Sequence, residues 1–140
     1  MNNIEIYSVR NEHMNDVIEL LQSISEYRPM YIDHDIIWSE YSSQKNVFGV
    51  VAFIGSRLVG FGSILIEIKL RGGRVGHIEE IVCHPGLRNQ GVGKAIVEAL
   101  NKIARERDCY KLVLACEESV RPFYEGLLFQ SNGVSMKRLI

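Results

Sequence analysis

A strand, a short glycine-rich crossing and a helix follow one another between Gly76 and Ala104, and this succession constrains the fold most strongly. Ile78, Ile81 and Val82 are strand-type residues, and Pro85-Gly86 ends the strand because proline has no N–H to donate. Beyond the crossing, apolar residues recur with helical spacing at Val92, Ala95, Ile96, Ala99, Leu100, Ile103 and Ala104. Because the first amides of a helix lack internal partners and carry partial positive charge, the sequence predicts a phosphate or pyrophosphate at this turn.

Three phosphate-binding patterns compete for the segment from Arg88 to Lys94. A phosphate loop of the Walker type requires lysine directly after its second glycine, whereas Gly91 is followed by Val92. A dinucleotide pattern starting at Gly91 would need a third glycine where the chain has Ile96. The remaining pattern, Arg/Gln-x-x-Gly-x-Gly/Ala, is met at every fixed position and resembles the coenzyme A turn of the GCN5-related N-acetyltransferases. The alternative is a glycine-rich helix start that only turns the chain.

The resemblance implies that acetyl-CoA is the acetyl donor and that two segments of the chain hold it. Backbone amides at the end of the strand would hold the pantetheine arm and point at the thioester oxygen, while the turn would bind the pyrophosphate. Tyr124 would donate a proton or hydrogen bond to the departing sulfur, although it also suits a packing aromatic. The residues implied in coenzyme A binding are Ile81, Val82, Cys83, Arg88, Asn89, Gln90, Gly91, Val92, Gly93, Lys94 and Tyr124.

Composition limits the remaining possibilities. A chain of 140 residues with 46% hydrophobic content predicts one compact domain over residues 1–140. Its net charge of −1 gives no reason to expect nucleic acid or an anionic membrane as a partner. Charged residues among the first twenty exclude a secretory signal, and no apolar run approaches membrane length. Three cysteines without a Cys-x-x-Cys pair predict a cytoplasmic protein that lacks disulfides and a metal site.

The order of predicted elements is β-α-α-β-β-β-α-β-α-β. This order indicates an α/β chain with a mixed central sheet flanked by helices on both faces, and it matches the acyl-CoA N-acyltransferase fold of the resembled family. Turns are predicted at Gly55-Ser56 and at Arg71–Arg74. The predicted strands cover 4–10, 47–54, 58–69, 75–84, 110–116 and the segment from Gly133 onward. The predicted helices start after Asn11 and cover 32–41, 92–104 and 120–127.

Four segments together carry a closer resemblance, to the glucosamine 6-phosphate N-acetyltransferases. They are the Gly-His-Ile-Glu-Glu-Ile-Val run at 76–82, the turn at 88–94, the Cys-Tyr-Lys run at 109–116 and Phe-Tyr-Glu at 123–125. The resemblance implies direct attack of the sugar amine on acetyl-CoA in a ternary complex, supplying the UDP-N-acetylglucosamine pathway. It also implies a homodimer whose C-terminal strands pack across the interface.

The resemblance assigns further site residues. Glu79 matches the substrate-contacting glutamate of the family, and Glu80 stands where an aspartate is usual. Because neighbouring strand residues point to opposite faces, Glu79 and Glu80 are not expected to work as a carboxylate pair. Either one, or the backbone carbonyl near Ala115, would receive the amine proton. The implied substrate contacts are Ser25, Lys69, Arg71, Glu79, Glu80, Tyr110, Lys111, Ala115 and Arg138.

Two other functions stay open at this point. Ala115 replaces the aspartate of the family's Leu-Asp-Cys run, so the same fold would also suit another small amine, such as an unphosphorylated amino sugar or a polyamine. The non-enzymatic alternative is an acyl-CoA-binding module that keeps the cofactor turn without turnover.

Overall fold

The computed structural model describes residues 3–140 and shows one five-stranded sheet in the spatial order β1-β2-β3-β4-β5. Neighbouring strands run antiparallel except β4 and β5, which are parallel. The strands are β1 (Ile4–Ser8), β2 (Val47–Ile54), β3 (Arg57–Ile68), β4 (Arg74–Cys83) and β5 (Cys109–Val113). The predicted mixed sheet is therefore confirmed, and β2 has the predicted bounds.

In the part of the chain that the structure describes, four α-helices flank the sheet, and three of them begin after a short 3₁₀ turn. The helices are α1 (Met14–Leu21), α2 (His34–Ser42), α3 (Val92–Glu106) and α4 (Arg121–Glu125). Asn11, predicted as a helix cap, is instead the first residue of the 3₁₀ turn Asn11–His13. The residue that caps this turn is Arg10, whose backbone N–H donates to His13 Nδ1. No helix within residues 3–140 is long and apolar enough to cross a membrane.

Apolar residues on the two faces of the sheet build two packed clusters. On the α3 face, Ile64, Ile96 and Leu100 are fully buried. On the α1 face, Val51 and Phe61 pack with Val17 of α1, and Val82 of β4 joins this second cluster. Burying each such side chain contributes about 1.5–3 kcal/mol. These clusters fix β3 and β4, which carry the candidate site, between two layers of helix.

The predicted strand from Gly133 onward is wrong for this chain as described. Residues 131–140 are all placed by the structure, but they lie outside the sheet, and Val134 and Met136 are 88% and 90% exposed. A strand needs a neighbour for its backbone hydrogen bonds, and none of the sheet strands lies alongside this segment. The alternation of apolar and polar residues thus gives the segment strand character without supplying a partner.

Candidate active site

Strands β4 and β5 separate part-way along their length and leave a gap between them. Their pairing runs from Arg74 opposite Cys109 to His77 opposite Val113, and β4 continues for six residues beyond that point. The His84 N–H donates to the carbonyl of Val59 on β3 at 2.8 Å. Because successive amides of a strand point to opposite edges, the N–H groups of Ile81 and Cys83 point into the gap, whereas that of Val82 points towards β3.

The turn before α3 has the backbone shape of an anion site. Gly91 caps the helix with a φ of 86°, in the left-handed region that favours glycine. The first helical hydrogen bond runs from the Ala95 N–H to the Gly91 carbonyl at 3.0 Å, so the amides of residues 92–94 precede it. Arg88 lies exposed in the same turn, at the positive end of a 15-residue helix. The turn therefore fits a pyrophosphate.

The two glycines of the turn have different roles. Among residues 3–140, a Cβ at Gly91 would meet Ile4 Cδ1 alone, at 3.8 Å, so these residues leave space around its backbone. A Cβ at Gly93 would lie 3.1 Å from Phe123 Cζ and 3.6 Å from Cys83 Sγ. Gly93 thus lets α4 pack against the start of α3, while Gly91 provides the backbone conformation of the turn.

Tyr124 lies on α4 near the end of β4 and the segment after β5. Its ring meets Phe123 and Phe129 edge-on, with centroids 4.9 Å and 5.7 Å apart. Partial burial raises the pKa of Tyr124 above its ordinary value, and the nearby thiols of Cys116 and Cys83 add to the rise. The Tyr124 hydroxyl consequently keeps its proton throughout the neutral range.

A β-bulge at Glu80 overturns the expectation that Glu79 and Glu80 face apart. Ser63 of β3 lies opposite Glu79, and Phe61 lies opposite Val82, so β4 has one extra residue between these pairs. Glu80 takes up that extra length with a φ of 55°. The bulge interrupts the two-residue alternation, and the carboxylates of Glu79 and Glu80 come close enough to interact.

The electrostatics of Glu80 follow from this arrangement. Desolvation raises the pKa of the Glu80 carboxyl, and the charge of Glu79 raises it further. Because Glu80 keeps substantial solvent exposure, the desolvation is partial rather than that of a core residue. Glu80 is therefore a stronger base than an ordinary carboxylate while remaining reachable by a substrate.

Charged and polar side chains continue from Glu79 along the same face of β3 and β4. This row consists of Glu79, His77, Glu67 and Lys69. Glu67 Oε1 lies 3.0 Å from Lys69 Nζ and 2.8 Å from His77 Nε2, and both hydrogen bonds lower the pKa of the Glu67 carboxyl. Leu65 is opposite His77, two pairs along from Ser63 and Glu79 and therefore on the same face. Lys69 therefore folds back along the row, towards the bulge. The sequence analysis did not single out Glu67, although the alternation of Glu67 with Lys69 indicates a shared face of β3.

The other predicted cations gather elsewhere. Arg71 Nη2 donates to the Tyr110 hydroxyl at 3.2 Å, and Lys111 Nζ lies 5.5 Å from the Tyr110 ring centroid. These cations and their hydrogen bonds lower the pKa of Tyr110. Lys111 is opposite Val75, so Glu80 lies five residues further along β4, roughly 16 Å away at the rise of a strand. Arg71, Tyr110 and Lys111 form one cluster, separate from the bulge.

Three more predicted substrate contacts occupy exposed positions. The Ser25 hydroxyl serves a local turn, donating to the Tyr27 carbonyl at 2.9 Å and accepting from the Tyr27 N–H at 3.0 Å. Ala115 lies exposed just beyond β5, on the segment that borders the gap, and Arg138 lies exposed in the C-terminal segment. Within the described residues, neither Ser25 nor Arg138 has a contact that connects it to the bulge.

Sequence reasoning missed Tyr41 and Ser63. The Tyr41 hydroxyl of α2 lies 2.7 Å from Ser63 Oγ, and Ser63 lies opposite Glu79. Burial raises the pKa of Tyr41, and the charge of Glu80 raises it further, whereas the bond to Ser63 lowers it. The available signal was Ser63 itself, a hydroxyl within the otherwise apolar run of β3.

Comparisons with known proteins agree with this geometry. A family model described as the acetyltransferase (GNAT) family matches residues 11–127. A protein of Trypanosoma brucei brucei named glucosamine 6-phosphate N-acetyltransferase is 32% identical over 96% of this chain and 94% of its own length. A rice protein (Oryza sativa subsp. japonica) named probable glucosamine 6-phosphate N-acetyltransferase 2 is 40% identical over 83 residues. The matched region covers 58% of this chain and 50% of the rice protein. The crystal structure of a Trypanosoma brucei acetyltransferase superposes with a TM-score of 0.89 at 29% identity, covering 99% of this chain and 100% of the other.

Proposed function

The chain belongs to the acetyltransferase (GNAT) family, and from this premise we propose that it transfers the acetyl group of acetyl-CoA to the amine of D-glucosamine 6-phosphate. The product would be N-acetyl-D-glucosamine 6-phosphate, a precursor for the cytoplasmic UDP-N-acetylglucosamine pathway. The observation that carries the proposal is the gap between β4 and β5, which has Tyr124 near one side and the Glu80 bulge at the other. The trypanosomal relative, aligned over nearly all of both chains, supports the choice of sugar.

The donor side of the gap is built from backbone. When bound, acetyl-CoA supplies an acetyl group activated as a thioester. The turn from Arg88 to Lys94 would hold its pyrophosphate through the first amides of α3 and the Arg88 side chain. The N–H groups of Ile81 and Cys83 would donate to the pantetheine arm and to the oxygen on which charge develops. One such donor is worth a factor of about 10²–10³ in rate.

Two side chains would move the protons. Glu80 accepts the proton that leaves the amine nitrogen, since its raised pKa suits a general base and the bulge exposes it to the substrate. Tyr124 donates a proton to the departing sulfur, since its own raised pKa keeps it protonated. The amine attacks directly in a ternary complex, so the chain itself forms no bond to the acetyl group.

The row on β3 and β4 would bind the sugar phosphate. Glu79, beside the bulge, would accept hydrogen bonds from sugar hydroxyls, while Lys69 would leave Glu67 and pair with the phosphate. Lys111 is opposite Val75, as Glu67 is, so both lysines start about equally far from Glu80 along the strand. Lys69 is preferred because its ammonium already lies in the row, 3.0 Å from Glu67, whereas Lys111 lies over the Tyr110 ring. Ala115, at the border of the gap, leaves its backbone carbonyl as the remaining hydrogen-bond acceptor at that position.

We propose further that the working protein is a homodimer. The apolar side chains of the C-terminal segment are exposed, with Leu139 at 82%, and β5 forms an edge of the sheet. Exposed apolar surface and an unpaired strand edge are each features of interaction surfaces. A second copy would cover both and would bring its Arg138 towards this site. Light scattering should give twice the chain mass, and removal of residues 133–140 should give one chain mass.

Release of free thiol from acetyl-CoA tests the substrate assignment. Purified protein is incubated with glucosamine 6-phosphate and, in parallel, with glucosamine, spermidine and lysine, and the product mass is checked for one added acetyl group. We expect rapid release with the sugar phosphate and at least tenfold less with glucosamine, since one charge-assisted contact is worth about 1.5–3 kcal/mol. Faster release with another amine would discard the sugar. Coenzyme A binding without release from any amine would indicate a non-catalytic module.

A further inference from the structure

One carboxylate oxygen near the turn between β3 and β4 is shared by two donors. Glu67 Oε1 lies 3.0 Å from Lys69 Nζ and 2.8 Å from His77 Nε2. Lys69 follows Glu67 by two residues, so both lie on one face, and His77 is one diagonal step away on β4. Because the two donors present positive charge to each other as well as to the oxygen, either bond strengthens when the other donor leaves.

The chemistry of the three groups fixes the direction of both hydrogen bonds. The bonds from His77 and Lys69 lower the pKa of the Glu67 carboxyl, so this group is ionised at neutral pH and can only accept. The Lys69 ammonium can only donate, and His77 must carry a proton on Nε2 to lie 2.8 Å from a carboxylate. Glu67 is thus the acceptor for two donors that cannot replace it.

The backbone of Lys69 is fixed, whereas its ammonium is free to change partner. The Lys69 N–H donates to the Gly73 carbonyl at 3.1 Å, and the Gly72 N–H donates to the Lys69 carbonyl at 3.0 Å. The side chains of Lys69 and Glu67 are 31% and 40% exposed, and an ion pair this exposed contributes little free energy. A phosphate monoester carries more charge than a carboxylate and offers three acceptor oxygens, so it can displace Glu67 from the ammonium.

We propose that Glu67 and His77 are positioning residues for phosphate binding: Glu67 holds Lys69 until the phosphate arrives, and His77 then holds Glu67. This inference rests on the proposed function, in which Lys69 pairs with the sugar phosphate. When Lys69 turns to the phosphate, Glu67 loses one of its two donors, and the bond from His77 strengthens. Without His77, the exchange would leave Glu67 with neither donor. Because the acetylated product keeps the phosphate, the exchange runs in reverse as the product leaves.

Calorimetric titration with glucose 6-phosphate tests the exchange without turnover, since this sugar has no amine to acetylate. Coenzyme A is present throughout. Glu67→Gln should strengthen binding about twofold to fivefold, because Lys69 no longer has an ionised partner to leave. His77→Phe should weaken binding by a similar factor, because the released carboxylate then has no donor. His77→Gln keeps an N–H donor and should restore the wild-type Kd, whereas a purely structural pair would lose affinity in all three variants.

Combined variants separate the exchange from a general effect of charge. In the Glu67→Gln background, His77→Phe should leave the Kd unchanged, because no carboxylate remains to be held. In the Lys69→Met background, Glu67→Gln should leave the weakened Kd unchanged, because no ammonium remains to be released. Glu98→Gln is the matched control, since it removes an exposed carboxylate from α3, on the other face of the sheet, and should not change the Kd.

The signs of the changes in Kd decide whether partners are exchanged. Unchanged or weaker binding by Glu67→Gln overturns the proposal, and so does unchanged binding by His77→Phe. A gain from Glu67→Gln that persists in the Lys69→Met background would mean that the carboxylate repels the phosphate directly. Failure of the wild type to bind glucose 6-phosphate would also reject the exchange, since Lys69 would have no phosphate to turn to.

The acetylation assay distinguishes a failure of this inference from a failure of the proposed function. If glucosamine 6-phosphate is acetylated while the Glu67 and His77 variants bind glucose 6-phosphate as the wild type does, the function stands and the exchange is rejected. If the affinities follow the expected order but no amino sugar is acetylated, the exchange stands and the proposed reaction fails.

Discussion

The gap has a donor side, proposed to hold acetyl-CoA, and an amine side, proposed to hold the amine substrate. The two sides consist of different chemical groups. The donor side consists of backbone amides at the end of β4 and at the start of α3, both packed into the larger buried cluster through Val92 and Ile96. The amine side consists of charged and hydroxyl side chains on the opposite face of the sheet, and α2 covers it only partly. The groups proposed for the donor side thus all come from one chain, whereas the amine side is open.

This difference shows how one fold can keep its cofactor while its substrate changes. Backbone donors are fixed by the path of the chain, so substitutions elsewhere leave them in place. A row of side chains can be altered one residue at a time, without moving the backbone that carries it. The two sides should therefore respond separately to mutation, and the following changes test that separation.

The largest effect is expected from Tyr124→Phe, which removes the group proposed to protonate the departing sulfur. We expect kcat to fall by about 10²–10³-fold with little change in coenzyme A affinity. In wild type, the pKa of Tyr124 lies above its ordinary value of about 10, so activity that depends on its proton should persist until the pH exceeds that value. Steady-state rates and calorimetric binding measure the two quantities. Retained kcat would assign Tyr124 to packing against Phe123 and Phe129.

Glu80→Gln comes next, with kcat expected to fall by about 10²-fold. The sign of the pH dependence follows from the raised pKa of Glu80: the base works only when deprotonated, so wild-type kcat should rise with pH through a midpoint above that of an ordinary carboxyl. The variant should lose this acidic limb. Glu79→Gln is the matched control and should keep the limb, moved to lower pH because the charge that helps to raise the pKa of Glu80 is gone, while raising KM for the sugar. If Glu79→Gln loses the limb instead, Glu79 is the base.

Lys69→Met should have an intermediate effect confined to the phosphate. KM for glucosamine 6-phosphate should rise about tenfold, while the weak activity with glucosamine stays the same, since that sugar has no phosphate to pair with Lys69. Arg71→Met, in the separate cluster with Tyr110, should change KM by less than about twofold. The reverse order of these two variants in the rate assays would place the phosphate at the far cluster.

The smallest effect on turnover is expected from the glycines of the turn. Gly91→Ala forces alanine to a φ of 86°, at a cost of about 1–2 kcal/mol, and should weaken coenzyme A binding several-fold. Gly93→Ala presses on Phe123, so it should lower kcat through α4 while affinity changes less. Calorimetry and thermal unfolding of both variants measure these effects. Equal losses of affinity would show that the turn acts as one unit.

Much of the donor side could be predicted from the sequence, because local rules govern it. The apolar stripe from Val92 predicts a helix that begins after Gly91, and α3 begins there. The bulge at Glu80 could not be predicted in this way, since nothing in an alternating run marks the position of an extra residue. The same limit applies to Tyr41, whose meeting with Ser63 depends on how α2 lies on the sheet. The segment after Gly133 has strand character, yet strand pairing depends on a neighbour that the local pattern does not contain.

Coenzyme A affinity of the double variant Lys69→Met/Glu80→Gln tests the separation of the two sides most directly. Both changes lie on the amine side, on the face of the sheet that α3 does not cover. Calorimetric titration should give a Kd within about twofold of wild type, the additivity expected of distant sites, while acetylation of the sugar phosphate is almost abolished. A Kd weakened tenfold or more would contradict the account, because the donor side would then depend on the side chains of the amine side.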